Sequence, residues 1–239
     1  MKYLFTTLAI GDKYADFAIN NYQSNLDKLS GDFSILTEKE READPRINID
    51  VYKGIWENKR SRYNIFLNLK GNALQYGLDK DYDLIIYHDA DWKIRKELDD
   101  SKIEKLFQYM QDNDIDLCGE RPHRLGSSKH EKRCLFEDKV KRYNLLTHDK
   151  WDDAQVMNEQ FIAVRNNNKL KFFCQRWEMF LHYSVYHNID NYCEGLEMGV
   201  SALEAGMKLD LSGISGWGKN TIYQCFEFYD VSQNLHIRF

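Results

Sequence analysis

Two aspartates, one residue apart, close the run Tyr82-Asp-Leu-Ile-Ile-Tyr-His-Asp-Ala-Asp-Trp92. Leu84 to Tyr87 read as a buried strand. Side chains of an extended chain alternate faces, so Asp89 and Asp91 are expected to point the same way. Two carboxylates converging at a strand end suit a hard divalent cation, Mg²⁺ or Mn²⁺. Such an ion holds a substrate diphosphate and stabilises it as it leaves. Asp-x-Asp occurs five times, at 79/81, 81/83, 89/91, 112/114 and 114/116, but only 89/91 directly follows an uninterrupted apolar run. Ligands of open α/β sheets bind beyond the carboxyl ends of strands. Position therefore selects this pair. The competing reading is a solvated turn with an aspartate cap for the next helix.

The surrounding elements have to position that pair. Residues 3–9 read as a strand and 13–29 as a helix, with Ala15, Ala18, Tyr22, Leu26 and Leu29 on one stripe. Phe33–Thr37 and Ile47–Tyr52 read as further strands, with a loop over 38–46. This βαβ opening predicts a parallel sheet. A helix is expected over Ser61–Leu78, its start marked by Lys59, Arg60 and Arg62. Those cations read as an ordinary charged helix start or as contacts to a substrate phosphate. Ser101-Lys-Ile-Glu104 has the form of a capping box for a helix to Gln111. Short strands are expected at Ile115–Gly119 and Gln160–Val164, and a helix at 169–187 buries Leu170, Phe173, Trp177, Phe180 and Leu181.

The last expected helix runs from Glu194 to Gly206, with Leu196, Val200 and Leu203 inward. Glu194, Glu197, Ser201 and Glu204 then share the opposite face. A strand is expected at Lys208–Leu211 and another in the tail, which carries His236. Between them lies the glycine-rich loop Gly213-Ile-Ser-Gly-Trp-Gly218, followed by Lys219. Its amides and lysine can cradle phosphate, although no helix follows to make it a P-loop.

The chain has 239 residues, 43% of them hydrophobic, a net charge of -5 and only two prolines. One domain with a real core is expected, and a disordered chain is excluded. Five scattered cysteines without a Cys-x-x-Cys pair argue against a structural zinc and against a disulfide framework. A cytoplasmic location follows as the expectation, at the inner membrane surface or in a host cytoplasm if the source is viral. No stretch is long enough to span a bilayer. Residues 121–142 form a local basic island with eight Lys/Arg against three acids. It reads as a mobile solvated loop or as a grip on an anionic acceptor such as DNA, a lipid phosphate or an acidic glycan.

Taken together, the parts resemble the GT-A class of nucleotide-sugar glycosyltransferases over most of the chain. His88-Asp-Ala-Asp91 is similar to that class's Asp-x-Asp metal motif. Met157-Asn-Glu-Gln-Phe-Ile-Ala-Val164 is similar to its acceptor-side strand, and Glu194-Gly-Leu-Glu-Met-Gly-Val-Ser-Ala-Leu-Glu-Ala-Gly-Met-Lys208 to its late helix. The N-terminal βαβ is similar to the nucleotide-binding half. Two departures matter. Gly195 stands where many inverting members carry a catalytic aspartate. In Gly216-Trp-Gly-Lys219, Ser212 and Asn220 replace the histidine and proline of a late loop found in some retaining members. Inversion and retention both stay open.

The resemblance implies one GT-A-like (Rossmann-like) α/β domain over 1–239, its mostly parallel central sheet flanked by helices. Residues 1–92 would be the nucleotide-sugar half and 93–239 the acceptor half. It implies Mn²⁺ or Mg²⁺ on Asp89, Asp91 and His236. Asp12, Arg62, Asp89, Trp217 and Lys219 would contact the donor. Glu197, Glu194 or Glu159 would be the base. The acceptor would be a surface glycan or lipid-linked sugar, or a hydroxymethylated DNA base in a phage setting. A sugar-phosphate nucleotidyltransferase ranks second, because Thr6-Thr-Leu-Ala-Ile-Gly-Asp12 lacks that class's basic loop. A non-catalytic nucleotide-sugar-binding module ranks third.

Overall fold

In the computed structural model the described residues are 1–53, 69–78, 80–124, 155–186, 194–210, 222–231 and 235–236. The apolar runs become β1 (Tyr3–Leu8), β2 (Asp32–Thr37), β3 (Ile47–Val51) and β4 (Leu84–His88). All four are mutually parallel, as the βαβ opening predicts. Two more strands extend the sheet, β6 (Leu117–Arg124) and β7 (Gln155–Arg165). The six-stranded order is β3-β2-β1-β4-β7-β6, and β7 runs antiparallel to both neighbours. The sheet is thus mostly parallel and flanked by helices, in accord with the expected α/β fold class.

The helices divide between the two faces. α1 (Asp12–Gln23) and α3 (Asp100–Asp112) cover one face, where Phe5, Ile86, Ala18, Tyr22, Ile103 and Met110 pack together. α2 (Lys70–Gln75), α4 (Asn168–Tyr186) and α5 (Glu194–Glu204) cover the other, with Leu4, Ile85, Leu74, Phe173, Trp177, Met198 and Ala202. α1 is shorter than its periodicity suggests. Ser24 Oγ and Asn25 Nδ2 both donate to the Asn21 carbonyl, and such back-bonding competes with helix continuation.

Three local expectations are corrected. The cap of α3 is Asp99, whose carboxylate accepts from the Lys102 N–H at 3.0 Å, and Ser101 lies inside the helix. Of the strand expected at Lys208–Leu211, the described residues 208–210 contribute an isolated bridge that joins Leu209 to Leu117. β7 begins at Gln155, ahead of the strand expected at Gln160–Val164. Gly206 does close α5 with a φ of 66°, and the Met207 N–H reaches back to the Ala202 carbonyl at 2.9 Å.

A second, three-stranded sheet joins β5 (Trp92–Ile94), β8 (Phe226–Asp230) and β9 (Leu235–His236). β8 pairs antiparallel with β5, Trp92 opposite Phe228. Late residues are thereby laid directly beside the 89–92 turn.

Candidate functional site

From the centre of the sheet, β1, β2 and β3 step one way and β4 begins the other. The strand order therefore reverses between β1 and β4. In open α/β sheets a ligand crevice forms at such a switch point, beyond the carboxyl ends. Gly11-Asp12 follows β1 there, and Asp89 follows β4.

Asp89 is held from three directions. Its N–H donates to the Gln160 carbonyl at 2.9 Å, which ties it to β7. The Tyr87 hydroxyl donates to Asp89 Oδ1 at 2.9 Å. Lys70 Nζ lies 2.9 Å from the same oxygen and 3.5 Å from Glu159 Oε1. Lys70 keeps only 5% of its side chain exposed, whereas Asp89 keeps 21% and Glu159 17%. Two largely enclosed carboxylates therefore share one buried ammonium. Sequence reading names both acids and misses the lysine.

The two aspartates do not continue the strand. β4 stops at His88, and the Trp92 N–H bonds the Asp89 carbonyl at 3.0 Å, closing a four-residue turn. Strict alternation, the argument for their common direction, does not apply across that turn. The Asp91 carbonyl accepts from the Tyr229 N–H at 2.7 Å. Tyr229 in turn pairs with His236 in β9 and stacks on Phe17, ring centroids 4.8 Å apart. The register thus brings the backbone of His236 to the strand next but one from the aspartate turn.

His88 belongs to the opposite face. Its Nδ1 lies 2.9 Å from the Asp89 carbonyl and its Nε2 3.0 Å from the Tyr22 hydroxyl. A carbonyl only accepts, so Nδ1 carries the proton and Tyr22 donates to Nε2. Burial lowers the imidazole pKa to about 4, which keeps the ring neutral. His88 is a core residue packed with Phe5 and Phe226.

Glu197 is fully buried, as is Ser201, so the outward face expected for them is wrong. α5 turns them in with Met198 and Ala202, packed on β7. The periodicity misleads because Gly195 and Gly199 present no side chain to mark the phase. Glu204 bonds Arg176 on α4. Of Glu194 the structure describes the backbone in α5 alone.

Asp12 is tied to cations of the 38–46 loop. Its exposed carboxylate lies 2.6 Å from Lys39 Nζ and 2.6 Å from Arg41 Nη2, whose hydrogen bonds hold its pKa below the usual range. Glu38 is the better-seated acid at the end of β2. It accepts from the Gly11 N–H at 3.2 Å and from the Thr37 hydroxyl at 3.0 Å. Arg62, Trp217, Lys219 and the basic island beyond Arg124 lie outside the described residues. Among the described residues no group of three or more His, Cys, Asp or Glu is placed to hold a metal. No helix among them is long and apolar enough to cross a membrane.

The chain is similar to the crystal structure of mouse xyloside xylosyltransferase 1 in its apo form, with a TM-score of 0.45 and 10% identity over 88% of this chain and 85% of that one. No family model and no curated protein matches it.

Proposed function

We propose that the chain transfers a sugar from a nucleoside diphosphate sugar to an acceptor hydroxyl. The observation that carries this reading is the Lys70–Asp89–Glu159 cluster at the carboxyl end of β4, beside the β1/β4 switch point. The cluster fits a divalent cation on chemical grounds. Its acids are hard oxygen donors, partly open, and one cation already rests against them. Mn²⁺ or Mg²⁺ bound by Asp89 and Asp91, with His236, would neutralise charge on the departing diphosphate.

The chain's own groups supply the rest. Residues 1–92 form the donor half in this reading, and 93–239 the acceptor half. Base and ribose rest near Asp12 and the 36–38 turn. Lys219, Trp217 and Arg62 contact the donor, the cations meeting its phosphates. Glu159 or Glu194 removes the acceptor hydroxyl's proton in an inverting reaction, since Glu197 is enclosed between α5 and β7. The freed oxygen then bonds the anomeric carbon as the bond to the diphosphate oxygen breaks. The basic residues of 121–142 hold an anionic or glycan acceptor.

Melting temperature with UDP, GDP or CDP, each with and without Mn²⁺, tests the donor assignment. One nucleotide is expected to raise the midpoint several degrees with the ion and much less without it. Flat midpoints in all six conditions end this reading. Charge reversal at Lys132 and Arg133 tests the acceptor side; it is expected to raise the acceptor KM and leave the donor KM unchanged.

A further inference from the structure

A buried ammonium beside two carboxylates needs a reason, because lysine is rarely enclosed unless paired. Packing aims this one. Leu69 is fully buried ahead of it, and an added Cβ on Gly71 would lie 3.2 Å from the Trp177 ring, so the start of α2 sits tight against α4. Lys70 Nζ is thus delivered to Asp89 Oδ1, where the Tyr87 hydroxyl also donates.

We propose that Lys70 is a built-in stand-in for the divalent cation. Without metal it holds Asp89 and Glu159 together, and an incoming ion displaces its ammonium from Asp89. The inference rests on the metal assignment made above. A carboxylate that coordinates an ion at roughly 2.1 Å gives up electron density that the ammonium had shared. The two cations repel at such range, and the flexible four-carbon stem lets the lysine yield. Lys70 is on this account a positioning residue. It spares the acids from facing each other uncompensated, and metal binding bears the cost of moving it.

Titration calorimetry of the full chain with Mn²⁺ alone tests the exchange. Lys70→Met is expected to bind the ion about tenfold tighter than the natural chain, as a coupling of ordinary size allows. Lys70→Arg keeps the charge and is expected to bind no tighter than the natural chain. A weaker Lys70→Met would mean that the lysine supports coordination, and the proposal would fall.

A second measurement uses the unaltered protein and covers the case in which Lys70→Met does not fold. Amine labelling read by mass spectrometry should rise several-fold at Lys70 when Mn²⁺ is added. Bound Mn²⁺ with unchanged labelling overturns the exchange and leaves the metal assignment standing. No Mn²⁺ binding by any form removes both.

Discussion

At the scale of single residues, a side chain's role follows from what it touches. Asp91→Asn is expected to abolish Mn²⁺-dependent transfer while shifting the thermal midpoint little, since the Trp92 N–H bond to the Asp89 carbonyl and the Tyr229 N–H bond to the Asp91 carbonyl survive the change. Full activity in that variant would remove the metal assignment. Asp116 is the contrasting case. Its buried carboxylate accepts from Lys169 Nζ at 2.6 Å, Asn167 Nδ2 at 2.7 Å, the Lys208 N–H at 2.8 Å and Arg165 Nη2 at 3.2 Å. Burial alone would raise its pKa, but the bonds from Lys169 and the Lys208 amide outweigh that and lower it. A carboxyl whose folded pKa is depressed adds stability above its unfolded value, about 4, and loses it as pH falls through the folded one. Asp116→Ala should cost roughly 3 kcal/mol at pH 7. That gap should narrow below pH 4 in urea titrations. Neither Asp116 nor Lys70 announces itself in sequence. Lys70 sits in an expected helix between Leu69 and Ala73-Leu74, and only the fold brings it to Asp89 and to Glu159.

At the scale of elements, the sequence is most legible where apolar runs are unbroken. β1 to β4 follow from their hydrophobic blocks, and the stripe of Leu170, Phe173, Trp177 and Phe180 places α4 correctly. Ends are less legible because caps compete. Asp99 and Ser101 both suit a cap, and the aspartate takes it, its carboxylate also accepting from the Ser101 hydroxyl at 2.6 Å. Asp99→Ala is therefore expected to lower the melting midpoint clearly more than Ser101→Ala does, both read by thermal melts. Close packing gives a sharper case. A Cβ on Gly31 would lie 2.0 Å from the Tyr3 ring, whose hydroxyl donates to Asp100. Gly31→Ala must push that ring aside and should destabilise by about 1–3 kcal/mol. An unchanged melting midpoint would show that the ring has room to move.

At the scale of the whole molecule, the direction of β7 is what sequence reading could not supply. Its residues suit either direction, and only the neighbours β4 and β6 decide. Burial also sorts the thiols. Cys118 and Cys174 are fully enclosed, and burial pushes both pKa values up. A thiol reagent should therefore leave both untouched until denaturant is added, as peptide mapping would show.

The pairing of β5 with β8 sets a timetable for the newly made chain. The aspartate turn leaves the ribosome early, while Phe228 and Tyr229, which brace it, emerge more than a hundred residues later. A nascent fragment can assemble the parallel strands yet still lack the buttress behind Asp91. Maturation of the crevice thus waits for those later residues, so a product terminated before them would be folded in part and lack its brace.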